Sequence, residues 1–139
     1  MITFSTDGIE MPVFDQQKVT LWLNLTAQSH NKKIGRLNYI FCSDERELQI
    51  NRQFLGHDYY TDVITFDYSK ADTLSGDIFI SLDTVRSNAQ TLGITELEEL
   101  LRIIVHGLLH LTGQGDKTPE TKQQMTEKEN AALQIWKKK

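Results

Sequence analysis

His106 and His110 stand four residues apart in TELEELLRIIVHGLLHLTGQGDKTP, the stretch from Thr95 to Pro119, and Asp116 follows ten residues after the first of them. Helix positions i and i+4 share a face, with Cβ atoms about 5–6 Å apart. Two imidazole nitrogens can therefore converge on one ion. Gly113 is free to take the left-handed conformation that ends a helix and reverses the chain. That reversal would carry Asp116 back beside the histidines as a third ligand. Two histidines on a buried helix can also be satisfied core residues; the glycine turn and the carboxylate favour an ion. Zinc takes His and Asp ligands, and three protein ligands with an open position are the arrangement of catalytic sites rather than structural ones. The expectation is one Zn2+ per chain on His106, His110 and Asp116, with a water in the open position. A carboxylate in place of a third imidazole lowers the positive charge and makes that water somewhat less acidic.

A helix must hold the pair. Thr95 with Glu98 reads as a capping box that opens it. Leu97, Leu100, Leu101, Ile103, Ile104, Val105, Leu108, Leu109 and Leu111 then put apolar side chains on nearly every side of its second half, which predicts a buried helix. Upstream, Ile2 to Ser5 reads as a first strand, broken by Asp7-Gly8. Pro12 to about Ser29 is expected as a helix with Pro12 near its first turn. Leu37 to Cys42 reads as a strand. Ser43 or Asp44 caps a helix through Phe54, with Glu47 completing a box to Asp44.

Thr61 to Tyr68, TDVITFDY, is rich in β-branched and aromatic residues and reads as a buried strand. Gly76 to Leu82 is another, and the short polar link from Lys70 to Ser75 permits antiparallel pairing. Ser81 or Asp83 starts a short helix through about Leu92, ended by Gly93. Thr118-Pro119 supplies an N-cap with proline at N1 for a last helix whose inward face is Met125, Ala132, Leu133 and Trp136. The order βα-βα-ββ-ααα indicates an α/β (α+β) fold. A small mixed, mostly parallel four-stranded sheet is covered by about five helices, with the metal site at the end of a buried central helix.

Composition narrows the class. The chain of 139 residues fits one domain, 1–139, able to bury roughly two-thirds of its unfolded surface. Apolar content of 39% and charged content of 24% describe a soluble globule. No run approaches the ~18 apolar residues of a membrane span, so no membrane partner is expected. Cys42 stands alone, which rules out an intrachain disulfide and favours a reducing, cytoplasmic setting. The net charge of −4 argues against coating nucleic acid through bulk charge. Lys32, Lys33 and Arg36 read as a solvated face, and Lys137 to Lys139 as a complement to the final helix dipole.

HGLLHLTGQGD, with TDVITFDY and GDIFIS upstream, resembles the YbeY family of bacterial metal-dependent endoribonucleases. The family carries HGxLHLxG on a helix and a third ligand, usually His, ten residues after the first. His106 to Gly113 matches position by position, and Asp116 falls where the third His is expected. Thr61-Asp62-Val63-Ile64-Thr65-Phe66 matches the strand motif T-D-V-L-S-F, and Gly76-Asp77-Ile78 the following G-D-I. The chain departs from the pattern at Asp116 and at Leu55, where the family usually places an arginine; Arg52, His57 or Lys117 are candidate replacements. The resemblance implies hydrolytic cleavage of RNA phosphodiesters by a single-strand-type endoribonuclease. It further implies a role in 3′-end maturation of small-subunit (16S) rRNA and in ribosome quality control. The implied partners are the rRNA precursor, the small ribosomal subunit and its associated factors.

Beyond the metal-bound water no catalytic group is assigned, and Thr61, Asp62, Thr65, Asp77 and Lys117 are candidates for the substrate cleft. Asp62 and Asp77 could also orient His106 or His110 from behind, or equally, as strand-end carboxylates, bind backbone amides. Strand alternation puts Thr61 and Thr65 on one face and Asp62 on the other, so not all can point at one ion. His30 and His57 read as surface residues, Trp22 and Trp136 as core or rim packing. Two other functions compete. A zinc metallopeptidase-like hydrolase shares the HxxxH spacing, but such enzymes place a glutamate after the first histidine, where this chain has Gly107. A ribosome-associated factor with a structural metal would need no arginine at position 55.

Overall fold

The computed structural model describes residues 1–55 and 63–138, apart from the Leu55 side chain. Thr61, Asp62 and His57 therefore lie outside the described residues. Four strands form one sheet: β1 (Ile2–Thr6), β2 (Lys33–Cys42), β3 (Val63–Asp67) and β4 (Thr73–Ser81). Their order is β1-β2-β4-β3. β1 and β4 flank β2 in parallel, and β3 closes the far edge antiparallel to β4. Five helices accompany them: α1 (Gln16–Ser29), α2 (Asp44–Ile50), α3 (Leu82–Leu92), α4 (Glu96–Leu111) and α5 (Pro119–Lys137). This is the mixed, mostly parallel α/β architecture expected. Among the described residues no helix is long and apolar enough to cross a membrane.

Several boundaries move for identifiable reasons. α1 begins at Gln16, not near Pro12, because the Asp15 carboxylate caps it by accepting from the Lys18 amide at 3.0 Å. At α2 the cap is Ser43, whose hydroxyl accepts from Arg46 N; Asp44 is already inside the helix, so the Asp44–Glu47 box does not form. α2 stops at Ile50 and continues as a π-helical turn, Asn51–Leu55, in place of regular helix through Phe54. β2 starts at Lys33 and β4 at Thr73, because these strands pair with each other well before Leu37 and Gly76. Ser81 and Gly93 bound α3 as anticipated, Gly93 in the left-handed region at φ 68°.

β4 alternates buried and half-buried residues from Leu74 to Ile80, the period-2 signature of a strand with one face on a core. α4 lies on that face. Two glycines let it approach: a Cβ on Gly107 would stand 2.9 Å from Ile78 Cγ2, and one on Gly76 would meet Leu111 Cδ2 at 3.4 Å. Leu37, Tyr39, Phe41, Ile80, Ile104 and Leu108 are fully buried around this contact. The Tyr39 hydroxyl donates to the Ile104 carbonyl at 2.8 Å, tying helix to sheet. Trp22 is wholly buried and donates to the Ala132 carbonyl at 2.6 Å, which seats α5 on α1. Trp136 is half-buried and meets Trp22 edge-on, with Lys18 over its ring. Cys42 is buried between strands and helices, and burial, ahead of the nearby Glu47 and Asp7 carboxylates, pushes its thiol up to about 12.

Gly76 is also the tightest point of the β3–β4 pairing, where a Cβ would sit 2.4 Å from the Phe66 carbonyl oxygen. Backbone, unlike a flexible side-chain tip, has little room to yield. Gly76→Ala is expected to cost about 1–3 kcal/mol in urea unfolding, the usual range for overpacking. An unchanged midpoint would contradict this packing.

Candidate metal centre

α4 opens at Thr95, whose hydroxyl accepts from Glu98 N at 3.1 Å, with Glu96, Glu98 and Glu99 complementing the positive end of the dipole. Its other end is a Schellman turn: Gln114 N donates to Leu109 O at 3.3 Å and Gly113 N to His110 O at 3.0 Å. Gly113 holds φ 98°, the left-handed value this motif requires. The chain thus doubles back immediately after His110, and Asp116 returns to the histidine pair.

The three donors meet. His106 Nε2 and His110 Nε2 are 3.0 Å apart, and Asp116 Oδ2 is 3.4 Å from each. One donor atom from each residue lies within 4.8 Å of the others, a group that could hold a metal ion. Ligands at ~2.0–2.1 Å from a tetrahedral zinc are separated by about 3.3–3.4 Å. The two edges to Asp116 match that figure, and the histidine edge needs to open by a few tenths of an ångström. The donor set fits a divalent ion. Side-chain exposures of 15%, 26% and 34% for His106, His110 and Asp116 leave the group reachable from solvent.

α5 closes the site from the other side. His106 Nδ1 lies 2.7 Å from Glu129 Oε2, and Glu129 Oε1 accepts from Arg102 Nη1 at 2.9 Å. Arg102 Nη2 reaches Asn130 Oδ1 at 3.0 Å. Gln114, itself buried, fastens the Asp116 loop: its amide donates to Gly115 O at 2.9 Å and Thr121 O at 3.3 Å, and its oxygen accepts from Lys128 at 2.6 Å. Sequence reasoning missed Glu129. Its signal was present, because Met125, Glu129 and Ala132 follow helical spacing on the inward face of α5 and all three are buried.

The other candidates scatter. Asp77 lies between Gly76 and Ile78, both of which face α4, so strand alternation turns it to the opposite face of the sheet. There it accepts from Asn38 Nδ2 at 2.8 Å. Of the roles open to Asp77, this placement separates it from the histidine pair. Thr65 pairs opposite Ile78 and shares the α4 face, half-buried. Lys117 is exposed directly after Asp116, and Arg52 is exposed in the π-helical turn. His30 is not fully on the surface; it caps α1 half-buried, where burial and then Lys128 push its imidazole down. Gly107 faces the sheet, so a side chain there would point at Ile78, away from the ion site. The peptidase layout, with a general base at that position, has no support.

Known proteins resemble this chain over nearly its whole length. Residues 2–137 match the family model described as Endoribonuclease YbeY. The chain is 52% identical over 132 residues to the Endoribonuclease YbeY of Bacteroides thetaiotaomicron, covering 95% of this chain and 96% of that one. Against the Endoribonuclease YbeY of Parabacteroides distasonis it is 50% identical over 134 residues, covering 96% and 94%. A solution structure of a protein from Thermotoga maritima superposes with a TM-score of 0.68 at 26% identity, over 98% of this chain and 89% of that one.

With Asp77 on the far face of the sheet, Asp77→Ala should leave zinc affinity within about twofold of the unsubstituted chain, since no donor or donor-orienting group is lost. Competition against a chromophoric chelator measures it; a tenfold loss would place Asp77 functionally beside the histidines.

Proposed function

This chain belongs to the YbeY family of endoribonucleases, and from that premise we propose that His106, His110 and Asp116 hold one Zn2+ at the centre of its RNA-cleaving site. The chain is a metal-dependent endoribonuclease of rRNA maturation. The observation that carries the metal assignment is the meeting of three donors, two from consecutive turns of α4 and one from the returning loop. When bound, such an ion supplies Lewis-acid polarisation of a phosphoryl oxygen and lowers the pKa of water from ~16 toward ~7.

The protein's own residues supply the rest. Buried α4 fixes the spacing of the two imidazoles, and the Schellman turn presents Asp116 without a long flexible loop. Lys117, exposed beside Asp116, is placed to draw a phosphate toward the group. Thr65 on the same sheet face, with Thr61 and Asp62 just before β3, completes the proposed substrate cleft. Single-stranded RNA is the proposed substrate, reached through the solvent-accessible side of the group, and the 3′ end of small-subunit (16S) rRNA is the proposed target. The small ribosomal subunit and its associated factors are the proposed partners, within the cytoplasm and in ribosome quality control. Residues 1–139 act in this reading as one unit.

Elemental analysis and RNA cleavage test the assignment together. Unsubstituted protein should carry close to one zinc per chain, and His110→Ala and Asp116→Ala much less. Cleavage should fall on the order of 10²–10³-fold in both, the scale seen when a transition-state stabilising group is removed. Full occupancy in Asp116→Ala would remove that residue from the ligand set. Cleavage that survives metal stripping would remove the ion from the reaction.

A further inference from the structure

We propose that Glu129 is a positioning residue for the metal centre: it accepts the Nδ1 proton of His106 and so turns the Nε2 lone pair toward the ion. The inference rests on the ligand assignment above and extends it to α5. The contact is short, 2.7 Å, and Glu129 keeps only 9% of its side-chain surface in solvent. A carboxylate there accepts and cannot donate, so the shared proton sits on Nδ1 and the other ring nitrogen is left with its lone pair. That nitrogen is the one facing His110 and Asp116.

Glu129 is itself held. Its second oxygen takes a hydrogen bond from Arg102 Nη1 at 2.9 Å, and Arg102 springs from α4 one turn before His106. The helix carrying Glu129 is anchored three residues later, where Trp22 donates to Ala132 O. The carboxylate is thus fixed from α4 and from α1 while it fixes the imidazole. The simpler role for the same residues is an interhelical ion pair between α4 and α5. The two roles differ in what they move: an ion pair changes stability of the metal-free protein, whereas positioning changes affinity for the ion.

Zinc affinity, measured with Zn2+ alone by chelator competition on stripped protein, separates them. Glu129→Ala is expected to bind zinc about 10–100-fold more weakly, the usual consequence of losing such a partner. Glu129→Gln keeps an oxygen acceptor and should recover part of the loss. Arg102→Met breaks the same interhelical pair without touching His106, and should lower the melting temperature of the stripped protein with a smaller loss of affinity. In zinc-loaded unsubstituted protein, ¹⁵N spectra should place the His106 ring proton on Nδ1.

Glu129→Ala binding within twofold of the unsubstituted chain overturns the proposal and leaves the ligand assignment standing. So does an Arg102→Met loss as large as that of Glu129→Ala, or a His106 proton on Nε2. Unsubstituted protein that takes up no zinc overturns both readings. Should Glu129→Ala melt below the assay temperature, Glu129→Gln decides: it must bind more weakly than Arg102→Met.

Discussion

The close approach of α4 to the sheet at Gly107 and Ile78 is the constraint on which the rest depends. Successive residues of a helix are rotated by about 100°. If Gly107 points down at β4, His106 and His110 must project to one flank, roughly 100° and 60° round from the contact. They cannot reach the sheet, and the leucines beside them cannot avoid it. A side chain at position 107 would meet Ile78 and lift the helix, carrying both imidazoles away from whatever lies beside that flank. One missing Cβ thus sets the height of the histidine pair above the core.

What lies beside the flank is α5, and its docking is decided far from the histidines. Trp22 on α1 holds the Ala132 carbonyl, and Trp136 packs edge-on against the same indole. Thr118 and Thr121 cap the other end reciprocally. Between these anchors, Gln114 reaches from the loop to Thr121 O and receives Lys128. The loop bearing Asp116 is therefore attached at both ends, to α4 by the Schellman bonds and to α5 by an amide. That attachment limits the entropy lost when three donors gather, which is the condition for a site that binds without first having to fold.

Much of this was legible in the residues. His106, His110 and Asp116 meet because i and i+4 spacing followed by a glycine reversal leaves few other arrangements; the caps at Thr95 and Thr118 follow from their hydroxyls, and that at Gly93 from its backbone freedom. The roles left open for Asp77 could have been narrowed by parity: Gly76 and Ile78 flank it, and small or apolar neighbours on a half-buried strand face the core. Pro12 misled because a proline at a helix start is only permissive, whereas Asp15 offers the backbone an actual acceptor. Glu129 was passed over because an acidic residue on a polar helix reads as solvated until its partner, 23 residues upstream, is brought beside it. Helical spacing with Met125 and Ala132 marks Glu129 as inward-facing, but nothing local names the histidine it meets there.

Charge is the remaining quantity to balance. Two neutral imidazoles contribute none, Asp116 and Glu129 are carboxylates, and Arg102 is a guanidinium already bound to Glu129. Arg102 and Glu129 cancel, so Glu129 can engage His106 without adding net charge to the centre. The negative charge that distinguishes this donor set from three histidines is then localised on Asp116 alone, the most exposed of the three. A divalent ion there would retain a single net positive charge where an all-histidine set would leave two. Attraction of an RNA phosphate accordingly leans more heavily on neighbouring cations. Lys117, exposed directly after Asp116, is the cation proposed above for that role, so the residue that lowers the charge and the one proposed to restore it are neighbours in the chain.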